Sequence, residues 1–247
     1  IDVVEFPIIE KIEFSGIKAK KIKKQLNDNI KLKSRSSYNE IIVSEDIASI
    51  KFQLKKIGYY FSNVDVVIEN LENNRINLNY IIELGNKAKI KKITFIGDKI
   101  FKDGKLKGII VSEEYKFWKF ISGRKFLNED VIQLDKRLLR NFYLNKGFYN
   151  VEINSSFAKL INDDEFELVY NINSKRKIYF NNLKINLPDD FDKTNFEELN
   201  YFLTSLKGKT YSLNTVEKIL SRIDNITIQE GFKSVKATID ESISKDK

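Results

Sequence analysis

The chain has 247 residues, a formal net charge of +8, 42% hydrophobic and 12% aromatic residues, and no Cys, His or Met. Without Cys there is no disulfide, thiolate nucleophile or zinc–thiolate cluster; without His there is no Ser-His-Asp triad or imidazole ligand. Carboxylate chemistry alone survives on composition, and the hydrophobic content is high enough for packed cores rather than a disordered polymer.

The absence of Met at residue 1 points to a processed or truncated chain. Apolar stretches such as Ile90–Ile96 and Phe117–Ile121 are interrupted by Lys and fall short of the ~18 residues of a membrane-crossing helix. The opening residues carry no secretory leader pattern. The charge excess admits nucleic acid, anionic lipid or an acidic partner, and equally a lysine-rich solvated surface in a chain rich in Ile, Lys and Asn.

In chain order, the first element is a strand over Ile9-Glu10-Lys11-Ile12-Glu13-Phe14-Ser15-Gly16. The dense basic run Lys18 to Lys24 follows. Ser44-Glu45-Asp46 reads as a helix N-terminus with early acids, and Ile47, Ile50, Leu54 and Ile57 fall at helical spacing behind it. Gly58-Tyr59-Tyr60 then places a glycine just past the helix end, where a left-handed cap carries no Cβ penalty. Val64, Val66 and Ile68 alternate as a strand, Glu72-Asn73-Asn74 turns, and Ile76, Leu78, Tyr80 and Ile82 return.

The same order recurs. Ile90-Lys91-Lys92-Ile93-Thr94-Phe95-Ile96-Gly97 matches the opening strand. Asn128 precedes Glu129-Asp130 and the stripe Val131, Leu134, Leu138 and Phe142, which ends at Gly147-Phe148-Tyr149. Val151 and Ile153 begin a strand, Asn162-Asp163-Asp164 turns, and Phe166, Leu168, Tyr170 and Ile172 return. A third copy opens on a degenerate strand, Lys184-Ile185-Asn186-Leu187, continues with a helix over Phe196–Leu203 and a second helix capped by Asn214 with Val216, Ile219, Leu220 and Ile223, and reaches Gly231-Phe232-Lys233. Val235, Ala237 and Ile239 alternate after it, and no return strand follows. The turn Gly123-Arg124-Lys125-Phe126 recurs as Gly208-Lys209-Thr210-Tyr211.

These periods predict an α+β protein of three tandem small domains, 1–86, 87–174 and 175–247. Each is strand, helix, helix, strand, strand, with a three-stranded mixed sheet covered on one face by two helices; the last lacks its final strand. In such a sheet the return strand is central. The strand after each glycine is an exposed edge.

The pattern resembles the POTRA domain family, in particular consecutive domains of BamA-type outer-membrane assembly factors. The resemblance rests on Pro7-Ile8-Ile9 with Ile12, Phe14 and Gly16, on the three Gly-aromatic motifs, and on the tryptophan-containing loop Trp118–Phe126 with Leu138–Phe148 downstream. It implies the second to fourth domains of a five-domain periplasmic array attached to a membrane β-barrel outside this chain. A translocation factor of the related TamA type is also compatible. What the resemblance implies is a non-enzymatic scaffold, without cofactor or metal, that binds unfolded outer-membrane proteins and docks accessory lipoproteins of the assembly complex.

An unpaired strand edge accepts an extended chain through backbone groups, whatever its sequence. The candidate binding positions are Val64, Val66 and Ile68, then Val151 and Ile153, then Val235, Ala237 and Ile239, with Trp118 as a side-chain anchor. Gly58, Gly147 and Gly231 follow helices instead of preceding them, so they read as caps and not as phosphate loops. Acidic pairs Asp163-Asp164, Asp189-Asp190 and Glu197-Glu198 read as turn and helix-start chemistry. The basic runs Lys18–Lys24 and Lys87–Lys92 admit contact with an anionic membrane surface. Nucleic acid is not expected, because the aromatics follow strand and seam positions; a basic nucleic-acid-binding repeat protein is the alternative reading.

Overall fold

The computed structural model describes residues 5–116, 123–159, 164–188, 191–231 and 237–243. The chain packs as two compact units, Ile1–Phe95 with Ile110–Lys136 and Ser155–Tyr170, and Ile96–Ile109 with Arg137–Asn154 and Asn171–Lys247.

The first unit contains β1 (Ile8–Ser15), α1 (Lys20–Asn29), α2 (Glu40–Lys56), β2 (Asn63–Leu71) and β3 (Arg75–Glu83). The sheet order is β1-β3-β2, with β1 parallel and β2 antiparallel to the central β3. Side chains alternate across a strand, and Ile76, Leu78, Tyr80 and Ile82 of β3 are all buried on one face. Burying side chains of this size stabilises by ~1.5–3 kcal/mol each. Phe14, Leu26, Ile30, Ile50, Leu54 and Val64 close the same core from β1, α1, α2 and β2, so both helices lie on that face. The β2–β3 turn uses Asn73 and Asn74 at φ 58° and 52°, a left-handed pair that Asn tolerates better than most residues.

α2 begins earlier than the acidic pattern predicts. Asn39 is its N-cap, accepting from the amides of Ile41 and Ile42. Ser44 lies inside the helix, its hydroxyl donating to the Glu40 carbonyl, and Asp46 is fully buried.

The second repeat consists of β4 (Lys89–Asp98), α3 (Asp103–Lys107), a 3-10 turn at Gly123–Lys125, α4 (Glu129–Leu144), β5 (Glu152–Lys159) and β6 (Glu165–Asn173), and its sheet has the order β4-β6-β5. Asn128 caps α4 by accepting from the Val131 amide at 3.1 Å. The buried stripe of α4 is Ile132, Asp135, Leu139 and Tyr143, one position on from the expected Val131, Leu134, Leu138 and Phe142, which are half-buried on its flank.

Asp135 explains that shift, and Asp46 holds the matching place in α2. Asp46 accepts from the amides of Lys31 (2.6 Å) and Leu32 (3.1 Å) and from the Tyr80 hydroxyl. Asp135 does the same for the amides of Val111 (2.5 Å) and Ser112 (3.3 Å) and for the Tyr170 hydroxyl. Each carboxylate therefore ties the loop entering its helix to the central strand, and a buried acid is tolerable because its oxygens are bonded. The tyrosine also stacks on the first strand: Phe14–Tyr80 and Phe95–Tyr170 have ring centroids 5.6 and 5.5 Å apart, both at 20°.

The second unit contains a 3-10 turn at Lys193–Phe196, α5 (Glu197–Ser205) and α6 (Leu213–Gln229). Its core includes Leu144, Phe180, Phe196, Leu199, Leu203 and Tyr211, with Val216, Ile219 and Ile223 of α6 packed against them. Ser212, not Asn214, is the N-cap residue of α6, and the capping oxygen comes from elsewhere: Asn145 Oδ1 accepts the Asn214 amide at 2.8 Å and the Ser212 hydroxyl at 3.1 Å. Glu197 and Glu198 occupy the first turn of α5, as predicted.

No strand is present in the third repeat among the described residues. Lys184–Leu187 is irregular, and the only pairing there is the isolated bridge Tyr179 to Thr210. Ala237 and Ile239 lie in the irregular segment 237–243 and not on the strand their alternation suggests; Ile239 is 49% exposed. A strand needs a neighbour to take its backbone groups, and among the described residues none pairs with this segment.

Candidate functional site

β2 ends its sheet. In the order β1-β3-β2 it pairs with β3 on one side only, through the register Val64 to Ile82, Val66 to Tyr80 and Ile68 to Leu78. Those three side chains share the helix-covered face. Val64 is buried, Val66 half-buried and Ile68 38% exposed; Val67, on the opposite face, is 49% exposed. Because inward side chains are committed to the core, the free element of this strand is its outer row of N–H and C=O groups.

β5 is the corresponding edge of the second sheet. Val151 is buried and lies just before the strand, its carbonyl held by the Arg140 guanidinium at 3.0 Å; Ile153, within it, is half-buried. In the third repeat Val235 lies outside the described residues, and Ala237 and Ile239 offer no strand edge. Trp118 and the acidic pair Asp189-Asp190 also lie outside the described residues; of Asp163-Asp164 only Asp164 is described, and it pairs with Lys89 at 2.7 Å.

The three glycines sit at φ +99°, +91° and +85° for Gly58, Gly147 and Gly231. Gly58 and Gly147 do more than end a helix. The Gly58 carbonyl accepts the Ala88 amide at 2.9 Å, and the Ala88 carbonyl accepts the Leu127 amide at 2.8 Å. The Gly147 carbonyl accepts the Ile178 amide at 2.8 Å, and the Ile178 carbonyl accepts the Tyr211 amide at 3.1 Å. A Cβ on Gly58 would come within 2.7 Å of the Leu127 carbonyl oxygen; one on Gly147 would meet Thr210 Cγ2 at 2.6 Å. Gly58 and Gly147 are thus the backbone joints onto the following repeats.

The aromatics after Gly58 and Gly147 divide their work. Tyr59 packs on the first core, whereas Tyr60 meets Phe157 edge-on at 5.2 Å and Phe166 at 5.8 Å. Phe148 packs with Phe101 and Tyr143, whereas Tyr149 meets Tyr211 edge-on at 5.2 Å. The second aromatic belongs to the joint and not to the helix–sheet seam. Burial pushes the phenols of Tyr60 and Tyr211 up to about 12, helped by the charges of Glu129 and Glu241 respectively.

The two basic runs differ. Lys89, Lys91 and Lys92 pair with Asp164, Glu165 and Glu167 at 2.7, 3.0 and 3.0 Å, and Lys87 lies over the rings of Tyr59 and Phe126. Lys20, Lys21, Lys23 and Lys24 have no ion-pair partner among the described residues.

A family model described as POTRA, surface antigen variable number repeat, matches residues 7–85 and 88–175. The chain is 24% identical over 235 residues to the outer membrane protein assembly factor BamA of Neisseria meningitidis serogroup B, covering 94% of this chain and 29% of that protein. It is 20% identical over 252 residues to the BamA of Buchnera aphidicola, covering 100% of this chain and 40% of that protein. It therefore spans less than half the length of either relative. Among solved structures, Haemophilus influenzae BamA POTRA3-5 matches with a TM-score of 0.50 at 14% identity, covering 89% of this chain and 85% of the other. At that identity the likeness is one of fold.

Proposed function

The chain belongs to the POTRA family, and from that premise we propose that it is a non-catalytic scaffold of outer-membrane protein assembly. On this reading it works on the periplasmic side of the outer membrane, within a longer protein, as three tandem domains at 1–86, 87–174 and 175–247. It receives unfolded outer-membrane proteins by strand addition at β2 and β5, and docks accessory lipoproteins of the assembly machine.

One observation carries the mechanism: β2 terminates its sheet, so a nine-residue strand keeps one row of backbone donors and acceptors unpaired by sheet. Backbone pairing is indifferent to side chains, which suits clients that share a strand-forming tendency but no sequence. The names of the relatives support the setting, and the second basic run is spent on internal pairs.

The test is an NMR titration of the isotope-labelled chain with a peptide copied from a barrel-forming outer-membrane strand. Amide shifts confined to Asn63–Leu71 and Glu152–Lys159 are expected. No movement at either strand, with the rest of the spectrum intact, overturns strand addition by this chain.

A further inference from the structure

The first strands of the first two repeats match from Ile9–Gly16 to Ile90–Gly97, yet their outer edges differ. In the second repeat residues 113–116 lie along β4. The Tyr115 amide donates to the Ile90 carbonyl at 2.6 Å, and the Glu114 carboxylate accepts the Ile93 amide at 3.0 Å. The chain supplies from its own loop what an edge lacks, a backbone donor and a charged acceptor for an outward N–H.

In the first repeat, among the described residues, only the start of β1 is covered. The Arg35 amide donates to the Ile9 carbonyl at 2.6 Å, and the Ile9 amide to the Ser36 carbonyl at 2.9 Å. Arg35 thus fills the place of Tyr115. Nothing fills the place of Glu114: among the described residues no side chain accepts from an amide of Lys11–Ser15, and Ile12 stands where Ile93 stands. A groove runs there between β1 and α1, lined by Lys11–Ser15 on one side and by Lys23, Lys24 and Asn27 on the other.

The charge of that groove is positive. Its one acid, Glu13, is ion-paired with Lys11, which, with a smaller contribution from the charge of Lys23, holds the Glu13 carboxyl below the usual carboxylate range. Lys23 and Lys24 belong to the unpaired run, and α1 has no acidic residue in its first turn, against the preference of a helix N-terminus. The lysines of β4, by contrast, are paired within the chain.

We propose that the β1–α1 groove of the first repeat binds an extended acidic segment of a partner protein, laid along Lys11–Ser15 with a carboxylate accepting the Ile12 amide as Glu114 accepts that of Ile93. Lys23 and Lys24 flank its acids. The groove is on the opposite edge of the sheet from β2, so the site stands or falls separately from strand addition there.

The probe is a synthetic peptide with the sequence of residues 109–116, titrated into the labelled full chain, beside a copy in which Gln replaces both Glu. The acidic peptide is expected to move the amides of Lys11–Ser15 and leave Asn63–Leu71 in place. The Gln copy, and a Lys23→Glu/Lys24→Glu variant, are expected to bind about tenfold more weakly, as is the wild type in high salt. A Lys23→Gln/Lys24→Gln variant gives a milder loss and serves if the reversed charges unfold α1. Unmoved Lys11–Ser15 amides at millimolar peptide overturn the proposal, as does equal binding of the Gln copy. Anionic phosphatidylglycerol vesicles that broaden α1 while the peptide leaves β1 unmoved overturn it in favour of a membrane surface.

Discussion

The Tyr170 hydroxyl donates to a carboxylate oxygen of Asp135 at 2.6 Å, and the pair is fully buried. Tyr80 and Asp46 repeat the arrangement at 3.2 Å in the first repeat. In each case the acid also holds two loop amides, so removing it strands three donors at once. Asp135→Ala and Asp46→Ala are expected to cost about 3 kcal/mol or more, and Tyr170→Phe only about 1–2 kcal/mol, because losing the phenol frees the Ser112 side chain and one Asp135 oxygen while the acid keeps its amide partners. Urea unfolding curves of the three variants check the ranking; equal losses for Asp135→Ala and Tyr170→Phe would overturn it.

The buried tyrosines set an alkaline limit. Burial raises the phenols of Tyr60, Tyr143 and Tyr211 to about 12, and those of Tyr80 and Tyr170 higher still, with Asp46 and Asp135 adding to the shift. An unfolded tyrosine ionises near pH 10. Raised folded values mean the native state holds its protons more tightly, so the contribution is complete below pH ~10 and is lost progressively as pH rises to about 12 and beyond. Stability measured by denaturant at pH 7, 9 and 11 is expected to be level over the first interval and to fall over the second.

What was legible in the residues follows from what each residue type must do. Gly58, Gly147 and Gly231 announce positive φ by being glycine, and the alternation of β3 and β6 announces a half-covered sheet. Asp46 misleads, because two acids after a serine look like a helix start, and a period count assigns acids to solvent. Its role needs Tyr80 and the Lys31 and Leu32 amides in view, which only the fold brings together. The recurring signal was available: Asp46 and Asp135 precede their glycines by the same interval, and the third copy has Ile219 there. The cap that Asn145 lends to α6 is likewise a long-range contact with no local signature. Ala237 and Ile239 show the opposite failure, since alternation marks a strand only when a neighbour exists to pair with it.

The glycine joints predict a graded response to a single methyl group. At Gly147 a Cβ must both adopt φ +91° and displace Thr210 Cγ2 and Lys177, whereas at Gly231 it meets nothing within 4 Å and pays only the backbone strain. Gly147→Ala is expected to cost more than the ~1 kcal/mol usual for a left-handed position, and Gly231→Ala about that amount. The same substitution at Gly147 should speed hydrogen exchange of the Ile178 amide, whose acceptor is the Gly147 carbonyl. Unchanged exchange there would show that the joint does not depend on the glycine.

The β2 edge can be separated from the β2 fold by proline at two adjacent positions. Along an antiparallel edge strand, successive residues point their N–H and C=O alternately toward the neighbour and away from it. Of Val67 and Ile68, one therefore donates into the β3 ladder and the other outward, and both are partly exposed, so neither change empties the core. A proline in the inward position removes a ladder bond and is expected to destabilise the fold by several kcal/mol. A proline in the outward position should leave stability nearly unchanged and abolish peptide-induced shifts along Asn63–Leu71. Thermal unfolding and the barrel-strand titration, run on Val67→Pro and Ile68→Pro together, assign the two faces. If the variant that keeps its stability still binds, the partner reaches β2 through its side chains and not through its backbone.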